Sequence, residues 1–216
     1  MTEETLYIAD HCCHLVSCGN TPACLLVKPL GVFERKCLME ECGMIAKRTS
    51  VPYVMAAFEV EDFDAFRHKD HKTFDFVTNA LIPNLLSRYG CLPLVMGGYS
   101  LGGLFALWCC TQTNVFEAVA ACSPSLWVEW WSGYATTNPP QAHFLYLSVG
   151  DTEEKTHKKP FSLMGDCIRA QHERNLQLVG PARCTLEWNR GGHFNEIEQR
   201  KAKGFAWCIS KIINGK

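Results

Sequence analysis

The chain has 216 residues, of which 47% are hydrophobic and 20% charged, and its formal net charge is -1 at pH 7. This length and apolar fraction predict one globular domain, residues 1–216, with a sizeable buried core. The near-neutral charge, without a long run of like charge, argues against nucleic acid or an anionic membrane as a partner. No apolar run approaches the roughly 18 residues of a membrane-spanning helix.

The predicted elements begin with strands and then alternate with helices along the chain. They are one or two strands in residues 5–18, a strand at 23–28, a helix at 34–47, a strand at 51–58, a helix at 73–88, a strand at 92–96, a helix from 101, strands at 115–121 and 143–149, a helix at 161–176, a strand at 182–188 and a helix at 197–213. Buried strands that alternate with helices predict an α/β fold of three layers, with helices on both faces of a mostly parallel sheet. The chain leaves no room for a large lid domain.

The turn between the predicted strand at 92–96 and the following helix contains the pattern G-x-S-x-G, from Gly98 to Gly102. Glycines two residues before and after Ser100 let the strand and the helix pass close to the serine. This geometry exposes the hydroxyl and directs the N–H of Leu101, at the helix N-terminus, toward a negative oxygen. The pattern therefore predicts that Ser100 is a nucleophile.

A serine nucleophile needs a base and an acid, and both are expected where strands of a parallel sheet end. Among eight histidines, His193 follows the last predicted strand in a Gly-Gly-His-Phe loop. Glu153 and Asp151 follow the strand at 143–149, and either could orient the imidazole ring. We favour Glu153, with Asp151 as the alternative acid. The chain order of serine, acid and histidine is the one expected for this type of sheet.

These three motifs carry a resemblance to a known group of enzymes. The segments at 97–103, 150–153 and 192–193 together resemble the α/β-hydrolase superfamily, and within it the compact esterases related to esterase D and the enterochelin/feruloyl esterases. The resemblance extends over residues 23–213 and implies the α/β-hydrolase fold. In this superfamily the acid commonly stands three residues after such a glycine, which favours Glu153.

The resemblance also implies a chemistry. Ser100 would attack the carbonyl of a carboxylic ester of a small or compact acyl group, and His193 would move the proton. The oxyanion would be held by the backbone N–H of Leu101 and by that of Leu30 or Gly31, since Pro29 has no N–H. No cofactor is expected.

Aromatic residues near the predicted site are candidates for the substrate pocket. We expect Phe63, Tyr99 and Trp127 to line it. Ordinary core packing or a homodimer contact is the alternative for Phe63 and for the tryptophan segment, residues 126–131, which contains three tryptophans. The small-molecule ester is the expected partner. Other functions remain open on the same residues, namely an acyltransferase, a thioesterase or a binding module without catalysis.

Cysteine content and the N-terminal residues bear on compartment and metals. The chain starts with an acidic segment rather than a secretory signal, so its thirteen cysteines are expected to be reduced thiols in the cytoplasm. There is no C-x-x-C pair. The segment at 11–14, His-Cys-Cys-His, contains ligand-type side chains, but adjacent residues of a strand point to opposite faces. We therefore predict no metal site.

Overall fold

The computed structural model describes residues 1–156 and 159–215, and these residues form a single sheet of eight strands. The strands are β1 (Thr2–Ile8), β2 (His11–Cys18), β3 (Cys24–Leu30), β4 (Tyr53–Glu59), β5 (Leu94–Tyr99), β6 (Phe116–Cys122), β7 (Phe144–Gly150) and β8 (Cys184–Asn189). Their order across the sheet is β1-β2-β4-β3-β5-β6-β7-β8. β2 is antiparallel to both of its neighbours, and all other pairs are parallel.

The central strands are mostly apolar because helices cover both of their faces; Lys28 in β3 is a charged exception. Every residue of β3, β5 and β7 is buried, whereas the first five residues of β1 are mostly exposed at the edge of the sheet. The six parallel strands, β3 to β8, all end at the same edge of the sheet. The loops that follow β3, β5, β6, β7 and β8 therefore meet in one region.

Helices cover the two faces of the sheet and complete a three-layer structure. They are α1 (Leu38–Ala46), α2 (His71–Phe76), α3 (Ile82–Tyr89), α4 (Leu101–Gln112), α5 (Glu129–Thr137), α6 (Met164–Val179) and α7 (Ile197–Asn214), and a π-helical turn at Val77–Leu81 joins α2 to α3. Leu38 of α1 and Phe205 of α7 belong to the core on one face. Phe105 of α4 and Ile168 of α6 belong to the core on the other face.

The predicted order of strands and helices is present, with some changes at the boundaries. Residues 5–18 lie in two antiparallel strands, β1 and β2. The predicted helix at 161–176 has a 3-10 turn, Phe161–Leu163, before α6 begins. After β6 the tryptophan segment leads into α5, which has only nine residues. Within the described ranges, no inserted segment is large enough to form a lid domain.

None of the helices in the part of the chain that the structure describes is both long enough and apolar enough to cross a membrane.

Candidate active site

Ser100 lies in the sharp turn between β5 and α4, at the edge of the sheet where the parallel strands end. Its φ of 55° and ψ of -116° are unusual for a residue with a side chain, and such strained angles commonly occur at functional sites. A Cβ on Gly98 would lie 2.4 Å from the carbonyl of Gly102, so only glycine fits there. The turn holds the Ser100 side chain half-buried beside the neighbouring loops.

His193 and Glu153 form a hydrogen-bonded chain with Ser100. The Oγ of Ser100 lies 2.9 Å from Nε2 of His193, and Nδ1 of the same ring lies 2.8 Å from Oε2 of Glu153. The loops after β5, β7 and β8 supply the three side chains, which are up to 93 residues apart in the sequence. This is the geometry of a serine, a base and an orienting acid.

The second carboxylate oxygen of Glu153 is held by three donors. Oε1 accepts hydrogen bonds from the Ser123 hydroxyl and the Gly150 N–H, each at 2.7 Å, and from Nη1 of Arg200 at 2.8 Å. Burial of Glu153 by itself raises its pKa. The hydrogen bonds from His193 and Ser123 outweigh this effect, so the pKa of Glu153 lies below its ordinary value. The carboxylate is thus ionised and accepts hydrogen bonds without donating.

Arg200, in the first turn of α7, is a supporting residue that the sequence analysis did not identify. Its guanidinium is fully buried and donates to Glu153, to the Tyr99 hydroxyl at 2.9 Å, and to the carbonyl oxygens of Arg190 at 3.2 Å and Gly192 at 2.9 Å. It therefore connects the acid to the backbone of the histidine loop. The sequence holds one signal for this role: Arg200 is a basic residue on the inward face of an amphipathic helix, where a charged side chain needs a partner.

Tyr99, a predicted pocket residue, has its hydroxyl hydrogen-bonded within the protein. Its side chain is buried, and its hydroxyl donates to the carbonyl oxygen of His193 at 2.7 Å while accepting from Arg200. Burial raises the pKa of Tyr99 to about 12, so the hydroxyl keeps its proton and remains a donor. Tyr99 thus supports the His193 loop through its hydroxyl, and its place in the substrate pocket stays a prediction.

Asp151, the alternative acid, is not in contact with the imidazole. Its Oδ1 accepts a hydrogen bond from the N–H of Gly191 at 2.8 Å, and its own N–H donates to the carbonyl oxygen of Asn189. The residue therefore joins the loop after β7 to the loop after β8. Of the two carboxylates considered from the sequence, the structure brings only Glu153 to the ring of His193.

The predicted oxyanion donors lie at the end of β3 and at the start of α4. Leu101 begins α4, so its N–H is among the first-turn groups that have no acceptor within the helix. The N–H of Gly31 donates to Oε2 of Glu34 at 3.1 Å. Leu30 is the last residue of β3, and its carbonyl oxygen accepts from Val60. Leu30 and Gly31 are the two candidates for the second oxyanion donor, and of these the Gly31 N–H already donates to a carboxylate.

A buried ion cluster, absent from the sequence analysis, holds Glu34 in this position. Oε1 of Glu34 accepts from Nζ of Lys201 at 2.6 Å, and Lys201 also pairs with Glu41 at 2.8 Å. Lys28 of β3 pairs with the same Glu41 oxygen at 2.8 Å. Burial raises the pKa of Glu34, but the charges of Lys28 and Lys201 outweigh burial and lower the pKa to about 2.

Two of the predicted pocket residues, Phe63 and Trp127, have aromatic rings with partners in other segments. The ring of Phe63 approaches both Gly31 and Gly102, with carbons 3.4 and 3.5 Å from where a Cβ on those glycines would be. Trp127 follows β6 and is half-buried between the guanidinium carbon of Arg67, 4.9 Å from its ring centroid, and the ring of Phe161 at 5.7 Å. Phe63 thus lies beside the serine turn, and Trp127 belongs to the segment that follows β6.

Ser100 has a second side-chain neighbour, Ser125, which the sequence analysis did not select. The two Oγ atoms lie 3.1 Å apart, and Ser125 is buried in the loop after β6. Its place in the sequence, directly after the strand next to β5, was the only signal that it would reach the site.

Two side chains of the His-Cys-Cys-His segment take part in a cluster of ligand-type residues, because residues two apart on a strand point to the same face. Cys12 and His14 share a face of β2, and Glu59 of the adjacent β4 brings a third ligand-type atom within 4.8 Å of theirs. However, the His14 ring is engaged within the protein, with Nδ1 2.9 Å from the Thr5 hydroxyl and Nε2 2.8 Å from Glu59. Hydrogen bonding accounts for this arrangement.

Comparisons with known proteins are consistent with this fold and this arrangement of residues. A protein-family profile described as "Putative esterase" matches residues 48–178. A search of curated proteins finds no match. Among solved structures, the siderophore hydrolase EstA from Aspergillus nidulans has a TM-score of 0.74 at 13% identity, with 98% of this chain and 94% of that chain covered.

Two bacterial structures have nearly the same similarity. The enterochelin esterase from Shigella flexneri has a TM-score of 0.73 at 16% identity. The alignment covers 98% of this chain and 59% of that longer chain. The IroE-like serine hydrolase from Shewanella oneidensis also has a TM-score of 0.73, at 12% identity. The alignment covers 95% of this chain and 79% of that chain. At such low identities these structures establish the fold.

The fold is that of an α/β-hydrolase, and the predicted resemblance to esterases of this type is confirmed. Because the family profile covers more than half of the chain, the protein belongs to this esterase family and is a carboxylic ester hydrolase.

Proposed function

We propose that the protein hydrolyses its ester through an acyl-serine intermediate, with Ser100 as nucleophile, His193 as general base and acid, and Glu153 as the orienting acid. The observation that carries this proposal is the unbroken hydrogen-bonded chain from Ser100 Oγ through the imidazole to Glu153. The N–H of Leu101 is the first oxyanion donor, and the loop at residues 30–31 supplies the second.

The proposed reaction has two stages with the same proton carrier. The Ser100 hydroxyl gives its proton to Nε2 of His193 as Oγ bonds to the ester carbon, and His193 then protonates the departing alcohol. Water repeats the sequence on the acyl-serine and releases the acid. Glu153 stabilises the imidazolium in both stages, and the buried Arg200 keeps the carboxylate in place.

The experiment that tests this proposal combines labelling with turnover. A fluorophosphonate probe should label the wild type at Ser100, and Ser100→Ala should lose labelling and on the order of 10⁴-fold or more in turnover of a p-nitrophenyl ester. Circular dichroism of the variant controls for the fold. Turnover near the wild-type level in Ser100→Ala would remove Ser100 from this role. Product analysis with a competing alcohol distinguishes hydrolysis from acyl transfer.

We also propose that the preferred acyl group is short or compact. The ring of Phe63 lies against both Gly31 and Gly102 beside the serine turn, and α5 is too short to build a long covered tunnel. In a series of p-nitrophenyl esters, acetyl and butyryl esters should therefore turn over faster than long-chain esters. The same series with Phe63→Ala should shift toward longer chains, and faster turnover of long chains by the wild type would contradict the proposal.

The surroundings of the enzyme form the last part of the proposal. All thirteen cysteines are free thiols, which supports a reducing compartment such as the cytoplasm. We propose that the enzyme acts there on a small-molecule ester without a nucleic-acid or membrane partner. The oligomeric state considered from the sequence is a homodimer, and light scattering over a range of concentrations tests it.

A further inference from the structure

The hydroxyl of Ser125 is positioned against the oxygen that the proposed function makes the nucleophile. Its Oγ lies 3.1 Å from Ser100 Oγ, and Ser125 is only 1% exposed. The backbone fixes the pair, because the N–H of Ser125 donates to the carbonyl oxygen of Ser100 at 3.0 Å. The contact thus joins the loop after β6 to the serine turn, both at the edge where β5 and β6 end.

The direction of this hydrogen bond follows from the groups around it. The ionised carboxylate of Glu153 only accepts, so Nδ1 of His193 carries the proton that faces it. In the neutral ring Nε2 is then an acceptor, and the Ser100 hydroxyl must donate its proton to Nε2. The Oγ of Ser100 is therefore free to act only as an acceptor toward Ser125, and the Ser125 hydroxyl is the donor.

The buried environment leads to the same direction. A buried hydroxyl needs an acceptor for its proton. Across residues 1–156 and 159–215, Ser100 Oγ is the only acceptor that the Ser125 hydroxyl reaches. Ser125 is therefore oriented toward Ser100 before any substrate binds.

We propose that Ser125 is a further catalytic residue, which stabilises the negative charge that develops on Ser100 Oγ. The inference rests on the proposed function of Ser100. As the Ser100 proton moves to His193, Oγ gains negative charge, and a hydrogen bond to a charged acceptor is roughly twice as strong as one to a neutral acceptor. The Ser125 contact therefore lowers the energy of the attacking state more than that of the resting state.

Ser125 acts in the same way when the acyl-serine is hydrolysed. Water loses a proton to His193 and its oxygen bonds to the acyl carbon. The bond from that carbon to Ser100 Oγ then breaks, Oγ takes the electron pair, and His193 returns the proton to it. Ser125 keeps its own proton throughout and stabilises Oγ as the leaving group. Both stages should therefore slow when the donor is removed.

The test compares two variants at position 125 with a matched control. Ser125→Ala removes the donor, and Ser125→Cys keeps the side-chain volume with a much weaker donor. Ser148→Ala is the control, because Ser148 is equally buried in β7 and its hydroxyl has no hydrogen-bond partner in the described part of the chain. Two rates are measured for each: fluorophosphonate labelling of Ser100, and kcat/KM for a p-nitrophenyl ester.

The expected result is a loss in both rates that follows the hydroxyl group. Ser125→Ala should fall about 10- to 100-fold in labelling rate and in kcat/KM, somewhat less than the loss of an oxyanion-hole donor. Ser125→Cys should lie within about threefold of the alanine variant, and Ser148→Ala should match the wild type. Thermal unfolding of each variant shows whether the fold is kept, and the cysteine variant decides if alanine does not fold.

Three outcomes would overturn the inference. One is a folded Ser125→Ala with rates within twofold of the wild type, another is full activity in Ser125→Cys, and the third is an equal loss in Ser148→Ala. If the proposed function of Ser100 itself is wrong, the experiments give a different result. In that case the wild type would not be labelled at Ser100, or Ser100→Ala would keep its turnover, whatever the behaviour of position 125.

Discussion

At the scale of single residues, Glu153 and Asp151 show how position separates two similar side chains. They are two residues apart after β7, and both are carboxylates. Glu153 is buried and contacts the imidazole of His193, whereas Asp151 is exposed and holds the backbone of Gly191. In the proposed mechanism the first position stabilises the charged ring, and the second supports the turn. Their substitutions should therefore have different consequences.

We predict that Glu153→Gln reduces turnover about 10²- to 10⁴-fold, because it keeps the shape of the side chain but removes the anion that stabilises the imidazolium. Asp151→Asn is the matched comparison and should cost about tenfold or less, mainly through a less stable loop. Steady-state kinetics and thermal unfolding of both variants measure this. The opposite ranking would transfer the acid role to Asp151, and small effects from both would indicate a serine-histidine dyad.

At the scale of elements, α7 supports both sides of the site through two consecutive residues. Arg200 holds Glu153, the proposed acid, and Lys201 holds Glu34, which accepts from Gly31 in the proposed oxyanion loop. Both basic side chains are at most 1% exposed. A displacement of α7 would therefore disturb the proposed acid and the proposed oxyanion loop together, although among the described residues no hydrogen bond joins this helix to Ser100.

We predict that Lys201→Met lowers the free energy of unfolding by about 3–5 kcal/mol, because it leaves Glu34 and Glu41 with one buried cation fewer. Lys203→Met is the matched control on the same helix, since Lys203 is partly exposed and pairs with Glu187. Its cost should be at most about 1 kcal/mol. Urea denaturation of both variants measures the difference, and equal costs would show that the buried cluster has no special contribution.

The elements were predictable from the sequence to different degrees. β5 is a continuous apolar run, and α4 has apolar residues spaced three and four apart, so both elements, and with them Ser100, could be placed directly. Arg200 and Ser125 could not be assigned a role in the same way. Their partners, Glu153 and Ser100, lie 47 and 25 residues away, and only the packing of α7 and of the β6 loop brings them together.

At the scale of the whole molecule, ionised carboxylates that are buried (Glu41, Glu153) or half-buried (Glu34) connect the stability of the fold to pH. Glu34, Glu41 and Glu153 each have a pKa below the ordinary value of 4.5, and for each of them burial is the opposing effect that nearby cations or hydrogen bonds outweigh. A carboxylate whose pKa is lower in the folded state stabilises that state when it is ionised. Its contribution is complete above the unfolded pKa and is lost as the pH falls through the folded pKa.

The sign of this effect gives a prediction for acid denaturation. For Glu34 the folded pKa is about 2, so its contribution should be lost as the pH falls from about 4.5 toward 2, and it amounts to on the order of 3 kcal/mol. Glu34→Gln should therefore be less stable than the wild type at pH 7, and the gap should narrow as the solution is acidified. Urea denaturation at a series of pH values measures both.

The control for this prediction is Glu40→Gln, because Glu40 is an exposed carboxylate on α1, one residue before the buried Glu41. Its stability should run parallel to that of the wild type at every pH. The decisive quantity is the slope of the unfolding free energy between pH 5 and pH 3, which should be shallower in Glu34→Gln than in either of the other proteins. Equal slopes in all three would mean that Glu34 does not couple protonation to folding.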